Sequence, residues 1–298
     1  MQKTVISPDL IAQGNADNAA ALEDDYASLD RKLERRGIAI DSVKDRAKGW
    51  SVAVPSWGAG RGGTRFAKFP LAGEPTNIHE KLEDCAVIHQ LGRTTPRVSP
   101  HFPWDCVEDY AGLREEAESY GLGFDAVNSN TFQDQPGQAQ TYATGSLAST
   151  VEATRQQAVE HNIECIEIGQ KIGSRRLTVW VGDGTNFPGQ QDLGRSLDRY
   201  LEAAAQVYAA LPGDWQMMLE HKMFVAGLLL LGHFGLGQFA DGGAGTWRQV
   251  QVPCRSWPPR PEREYRTDRR PSSPRGKARR LPFQRQQVWR RRSRQRID

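Results

Sequence analysis

Residues 175–220 read RRLTVWVGDGTNFPGQQDLGRSLDRYLEAAAQVYAALPGDWQMMLE, and this stretch indicates the fold class. Two short apolar segments, 177–181 and 217–219, enclose segment 193–211, whose apolar residues recur with the period of an amphipathic helix. Because a strand, a helix and a strand in this order form a βαβ unit, the two strands are expected to be parallel. Toward the N-terminus the same alternation predicts strands at 51–54, 85–88, 97–98 and 124–127, and helices at 107–120 and 147–172.

These segments predict an α/β fold of the (β/α)8 TIM-barrel type that is truncated, because they make up about five βα units where a closed barrel has eight. Residues 8–37 combine apolar residues spaced by helical turns with many charges, which predicts an N-terminal helical extension over residues 1–49. The barrel domain is predicted over residues 50–224. Beyond it no strand or helix period persists, so residues 225–298 are predicted to be a disordered basic tail.

The charge of the chain is unevenly distributed. Residues 248–298 contain 17 Lys and Arg but four Asp and Glu, a net charge of +13, whereas the remaining residues carry −10. A basic tail on an acidic body is typical of a nucleic-acid-binding arm, so a non-enzymatic α/β domain with such a tail is one interpretation. The four cysteines form no CxxC pair, no leader sequence opens the chain, and the longest apolar run, 225–231, is far shorter than a membrane span. These features predict a cytoplasmic protein without a membrane segment.

Four polar or aromatic stretches follow the predicted strands, where the substrate sites of βα barrels lie. They are 57–66 (WGAGRGGTRF), 101–105 (HFPWD), 180–190 (WVGDGTNFPGQ) and 220–222 (EHK). The glycines of the first stretch match neither common nucleotide-binding spacing, which favours a tight turn. His101 could be structural or could contact a substrate, and stretch 180–190 could be an ordinary loop or a hydrogen-bonding wall for a polyol. Glu220 and Lys222 share one face of a strand, where they could form a salt bridge or point together into a barrel mouth.

Six longer stretches occur in an order that resembles the L-rhamnose isomerase family, in its bacterial type with broad specificity for rare sugars. They are SWGAGRGGTRFAKFP, HFPWD, NTFQDQ, ATRQQAVEHNIECIEIG, TVWVGDGTNFPGQ and DWQMMLEHKMF, and the resemblance extends over residues 1–224. It implies a homo-oligomeric enzyme, a tetramer, that converts L-rhamnose to L-rhamnulose or interconverts a related aldose and ketose. It also implies two divalent metal ions, typically Mn2+, as cofactors.

The resemblance implies roles for seven residues. Glu220 would be a metal ligand, and His101 and Lys222 would be catalytic residues near the reacting end of the sugar. The substrate-binding residues would be Trp57, Phe66, Trp104 and Trp180, of which Phe66 would reach into the pocket of a neighbouring subunit.

The other metal ligands of the family are missing, because its stretches VDLGHH, FHFND and YGDDD do not occur in this chain. A one-nucleotide shift of the reading frame restores them. Trp257 is encoded by TGG and the codons of Pro258 begin with C, so the shifted codon is GGC, which encodes glycine. In the same frame, codons 251–260 admit KCLVDLGHH and codons 279–293 admit GGFHFNDSKYGDDD.

We therefore expect a single-nucleotide insertion or deletion near codons 224–226. The basic tail would then be a by-product of the shifted frame, which weakens the argument for nucleic-acid binding, although its charge would still permit nonspecific binding to phosphates. The chain as given is expected to be inactive as an isomerase, because a hard divalent ion needs about six ligand positions and Glu220 fills one.

Overall fold

The computed structural model describes residues 3–62, 71–180, 183, 192–220 and 250–251. All of them lie in one compact unit, Met1–Cys254. Three helices precede the first strand: α1 (Pro8–Asp17), α2 (Ala19–Glu34) and α3 (Ile40–Lys48). Neither α1 nor α2 has a buried residue, and α3 buries Ile40. The N-terminal part is thus helical, as the pattern of residues 8–37 predicts, whereas the domain boundary at residue 49 stays a prediction.

The described strands are all parallel to their neighbours. They are β1 (Ala53–Pro55), β2 (Arg97–Ser99), β3 (His101–Phe102), β4 (Gly123–Phe124), β5 (Val127–Ser129), β6 (Arg176–Trp180), β7 (Gln216–Glu220) and β8 (Val250–Gln251). They form two sheets, in the orders β1-β2-β4 and β3-β5-β6-β7-β8. These pairings confirm an α/β fold with parallel strands.

The order of the strands is that of a βα barrel. Pro100 alone separates β2 from β3, and residues 125–126 separate β4 from β5, so each of these two chain segments contributes to both sheets. When β2–β3 and β4–β5 are each counted as one segment, every strand segment lies beside the next one in the sequence. A doubly wound sheet instead reverses its strand order near the middle. Strand β8 extends the series past β7 and falls within residues 225–298, of which the structure describes no other residue.

Five helices lie among the strands in the described part of the chain: α4 (Ser56–Ala59), α5 (Ile78–Gly92), α6 (Tyr110–Ser119), α7 (Glu152–Lys171) and α8 (Leu193–Ala209). Helix α7 packs against β5, β6 and α8. Alternate residues of β6 and β7 join α7 in one apolar core, namely Leu177, Val179, Met217 and Leu219 with Val159 and Ile166. No helix in the described part of the chain is long and apolar enough to cross a bilayer.

The strand predicted at residues 85–88 is wrong, because these residues belong to α5. The side chain of Asn77 caps this helix by accepting a hydrogen bond from the Glu80 N–H, and the buried residues Ile78, Leu82, Cys85 and Ala86 follow helical spacing. The short apolar run CAVI is thus part of a helix that began seven residues earlier. A run of four apolar residues does not by itself distinguish a strand from a buried helix turn.

Candidate functional site

Five predicted site residues lie at the carboxyl edge of the parallel strands. Trp57 belongs to α4, which directly follows β1, and His101 and Trp104 lie in and just after β3. Trp180 and Glu220 are the last residues of β6 and β7. Because parallel strands all end at the same edge, the fold brings together residues that are 163 positions apart in the sequence.

Aromatic rings surround the imidazole of His101, which is 5% exposed. The centroid of its ring lies 4.6 Å from that of Trp104, 5.2 Å from that of Trp57 and 5.8 Å from that of Phe132. Phe132 also meets Trp180 edge to face, with centroids 4.4 Å apart. We call these five residues the aromatic cage. The structure thus brings four of the predicted residues together, and Phe132, which the sequence reasoning did not select, connects Trp180 to His101.

The strand register places Glu220 beside this cage. Trp180 of β6 is aligned with Glu220 of β7, and His101 is aligned through Asn128 with Thr178, two residues before Trp180. Residues aligned across parallel strands, and residues two apart on one strand, point to the same face of a sheet. His101, Trp180 and Glu220 therefore share one face, opposite to the face that carries the buried Leu177 and Leu219.

A buried ion pair, formed by Lys81 and Asp105, lies next to the backbone of His101. Lys81 of α5 places its Nζ 2.6 Å from Oδ1 of Asp105, and both side chains are fully buried. The other carboxylate oxygen of Asp105 accepts a hydrogen bond of 2.7 Å from the backbone N–H of His101. The sequence reasoning missed Lys81. It lies among the buried residues Ile78, Leu82 and Cys85 of α5, and a buried lysine needs an acidic partner, so its position was a signal of an ion pair.

Phe132 is held by an Asn-centred turn after β5. The side chain of Asn130 accepts a hydrogen bond from the Gln133 N–H at 3.1 Å and donates one to the Gln133 carbonyl at 2.7 Å. The Asn130 N–H in turn donates to Nε2 of His161 at 3.1 Å, which assigns the ring proton to Nδ1, 3.3 Å from Glu164. The hydrogen bond from His161 holds the pKa of Glu164 below its ordinary value. His161 therefore supports the turn that carries Phe132. The sequence alone offered little indication of the contact between His161 and Asn130, because the two residues are 31 positions apart.

Asp183 is the one described residue between 181 and 191, and its carboxylate is structural. Oδ1 accepts hydrogen bonds from the N–H and the hydroxyl of Ser146, and Oδ2 accepts one from the Ala148 N–H, at 2.6–2.8 Å. Asp183 therefore fixes the loop before α7 to the exit of β6. Residues 181–182 and 184–190 lie outside the described part of the chain, so both interpretations of stretch 180–190 stay predictions.

Phe66 and Lys222, two of the predicted site residues, lie outside the described residues. Within the described ranges, no three His, Cys, Asp or Glu side chains lie close enough to bind one metal ion. Glu220 alone is too few ligands for Mn2+, which takes several oxygen or imidazole donors. The described donor set does not fit a divalent metal centre.

Curated proteins that are similar to this chain include two named probable sugar isomerases. The chain is 58% identical over 220 residues to a "probable sugar isomerase" of Rhizobium meliloti (strain 1021), which covers 74% of this chain and 51% of that protein. It is 54% identical over 224 residues to a "probable sugar isomerase" of Mesorhizobium japonicum, which covers 75% of this chain and 52% of the relative. The chain thus spans about half the length of the curated relatives it matches. No protein-family model matches it.

Among solved structures, the chain resembles a 3-keto-D-glucoside 4-epimerase from E. coli with a TM-score of 0.45 and 11% identity, over 68% of this chain and 67% of that one. It resembles an L-ribulose 3-epimerase with a TM-score of 0.43 and 16% identity, over 68% and 59%.

Proposed function

We propose that this chain derives from an aldose–ketose isomerase of the L-rhamnose isomerase type, and that the aromatic cage beside Glu220 is its sugar site. The observation that carries the proposal is the arrangement of three aromatic rings around His101, on the face of the sheet that also carries Glu220. Relatives named probable sugar isomerases, at 58% and 54% identity, support it.

The composition of the site suits a deoxy sugar. Aromatic faces cover the C–H surface of a sugar and its methyl group, while the few polar groups fix its orientation through the hydroxyls. His101 can exchange a hydrogen bond or a proton with a hydroxyl near the reacting carbons, and the Glu220 carboxylate accepts from others. Isomerisation moves hydrogen between C1 and C2 of the open-chain sugar, so the cage would serve to hold that end in place.

Mn2+ dependence is part of the proposal for the intact frame, not for the chain as given. In such enzymes the metal ion polarises the carbonyl and orients the hydroxyls. We propose that the missing ligands lie in the shifted frame of codons 225–298. The similarity to the relatives extends over 220 and 224 residues, which supports a loss of the frame near codon 224. The 298-residue chain would then be inactive.

The test is to restore the frame near codon 224 and to assay the product with L-rhamnose, L-mannose, L-lyxose and D-allose in the presence of Mn2+. We expect a cytoplasmic homo-tetramer that isomerises at least one of these sugars. Glu220→Gln should abolish metal-dependent turnover, and His101→Asn should lower the rate while the metal content stays nearly unchanged. A restored protein that binds Mn2+ and converts none of the four sugars would refute the reaction class.

Sequencing of the gene across codons 220–230 is the first control. A frame that continues past codon 224 into the family sequence would make the basic tail an artefact. A reproducible frame as given, together with nucleic-acid binding by the tail, would favour the non-enzymatic interpretation instead.

A further inference from the structure

We infer that Asp105 is a positioning residue of the aromatic cage that fixes the backbone of His101, and that Lys81 is the counter-ion that stabilises its buried carboxylate. Neither side chain belongs to the cage, and both are fully buried. The inference concerns the geometry of the cage. Its meaning for catalysis rests on the proposed function.

Asp105 closes the turn that carries two rings of the cage. Its carboxylate accepts a hydrogen bond from the His101 N–H at 2.7 Å, and its own N–H donates to the His101 carbonyl at 3.1 Å. Trp104 lies within this turn, between His101 and Asp105, which the two hydrogen bonds connect. The direction of the His101 and Trp104 side chains therefore depends on where the Asp105 carboxylate is held.

Lys81 neutralises that carboxylate. Its Nζ lies 2.6 Å from Asp105 Oδ1, the oxygen that the His101 N–H does not use. A fully buried carboxylate needs such a partner, and the charge-assisted bond is short and directional. Lys81 belongs to α5, which is capped and buried on one face.

The stem of Lys81 also lies close to Gly60, at the end of the short helix that carries Trp57. A Cβ added at Gly60 would lie 3.1 Å from Lys81 Cγ and 2.5 Å from the Pro75 carbonyl oxygen, so residue 60 packs closely enough to require glycine. Gly60 follows α4, the short helix that contains Trp57. Lys81 therefore lies close to two of the three chain segments that supply rings to His101, one beside its stem and the other at its amine.

Two double variants test whether an acceptor oxygen at residue 105 positions His101 or whether the ion pair serves only the stability of the fold. Lys81→Met/Asp105→Asn and Lys81→Met/Asp105→Leu both remove the two buried charges, and buried pairs replaced together by neutral residues are often tolerated. Asn and Leu are similar in size. Asn keeps an oxygen that can accept from the His101 N–H, whereas Leu leaves that N–H without an acceptor.

The readout is the imidazole resonance of His101 in the full 298-residue chain labelled with 13C-histidine, at fixed pH. The chain has six histidines, and the His101 signal is assigned by its loss in His101→Asn. Rings of Trp57, Trp104 and Phe132 within 6 Å should displace this resonance from that of an exposed histidine. We expect the Asn double variant to keep the displaced resonance and the Leu double variant to lose most of the displacement, at similar melting temperatures.

The inference is overturned if the Leu double variant keeps the displaced resonance, or if both variants lose it equally. Should the Leu variant not fold by far-ultraviolet circular dichroism, Lys81→Met/Asp105→Ala replaces it, with the same expected loss. Sugar affinity is measured separately. If the resonance behaves as expected and the frame-restored chain binds no aldose, the proposed function is refuted and the positioning role stands.

Discussion

The hydrogen bonds of the Asp183 carboxylate can be tested by replacing one of its oxygen atoms with an amide nitrogen, as in Asp183→Asn. This buried carboxylate accepts three hydrogen bonds from Ser146 and Ala148. Asp183→Asn removes the charge and turns an NH2 group toward backbone donors, so at least one of these bonds is lost. We expect the free energy of unfolding to fall by about 2 kcal/mol in urea denaturation, since hydrogen bonds to charged groups contribute about 1.5–3 kcal/mol each.

The matched control for this variant is Asp214→Asn. Asp214 is 61% exposed and lies 3.4 Å from Arg175, in an ion pair of the kind that contributes little. Its substitution should change the free energy of unfolding by less than about 0.5 kcal/mol. Equal effects of the two substitutions would contradict the structural role of Asp183.

At the scale of the element, the first turn of α5 makes stability depend on pH. The Glu80 carboxylate accepts hydrogen bonds from the Thr76 N–H at 2.6 Å and from its hydroxyl at 2.9 Å, and the backbone bond in particular holds the pKa of Glu80 below its ordinary value of 4.5. Because the folded pKa is the lower one, ionised Glu80 adds stability above about pH 4.5, and this is lost as the pH falls through the folded value.

The variant Glu80→Gln isolates this contribution. Its melting temperature should lie below that of the parent chain at pH 7, and the difference should shrink as the pH is lowered from 5 to 3. The measurement is thermal unfolding of both chains in matched buffers. A difference that is constant or grows toward acid pH would contradict the sign derived from the lowered pKa of Glu80.

Helix α7 approaches the sheet closely because residue 169 is a glycine. A Cβ there would lie 2.5 Å from a ring carbon of Trp215 and 3.2 Å from Val127 Cγ1. In an exposed helix a change from Gly to Ala stabilises by about 1 kcal/mol, but here the methyl group would push the helix away from the core. We expect Gly169→Ala to lower the free energy of unfolding by about 1–3 kcal/mol.

Gly14→Ala is the control for the helix propensity of alanine. Gly14 lies in α1, and a Cβ at this position would meet nothing within 4 Å. This variant should be neutral or slightly stabilising in the same denaturation experiment. Loss of stability in Gly14→Ala as large as in Gly169→Ala would show that close packing is not the cause.

At the scale of the whole molecule, calorimetric titration with Mn2+ distinguishes the chain as given from the frame-restored one. The described residues contain no group of three potential ligands, and Glu220 alone does not hold a hard divalent ion. We expect no stoichiometric binding to the 298-residue chain and two ions per chain after the frame is restored. Tight binding of two ions to the chain as given would count decisively against the proposed loss of frame.

The sequence was sufficient for features that depend on local periodicity and on the geometry of parallel strands. Alternating apolar strands and amphipathic helices predict the α/β class, and each strand exit predicts a residue at the same edge of the sheet. Trp57, His101, Trp104, Trp180 and Glu220 follow from that reasoning and from the family resemblance together. The run at 85–88 was assigned wrongly, because four residues carry too little periodicity to separate a strand from a helix.

The tertiary structure alone decided which of these residues touch and what holds them. Phe132 joins Trp180 to His101 because three strands with separate positions in the sequence end side by side. Lys81 reaches Asp105 across 24 residues because α5 turns its buried face toward the turn after β3. Periodicity tells which face of an element is buried, but the partner on that face depends on how the elements pack, and packing is a property of the whole chain.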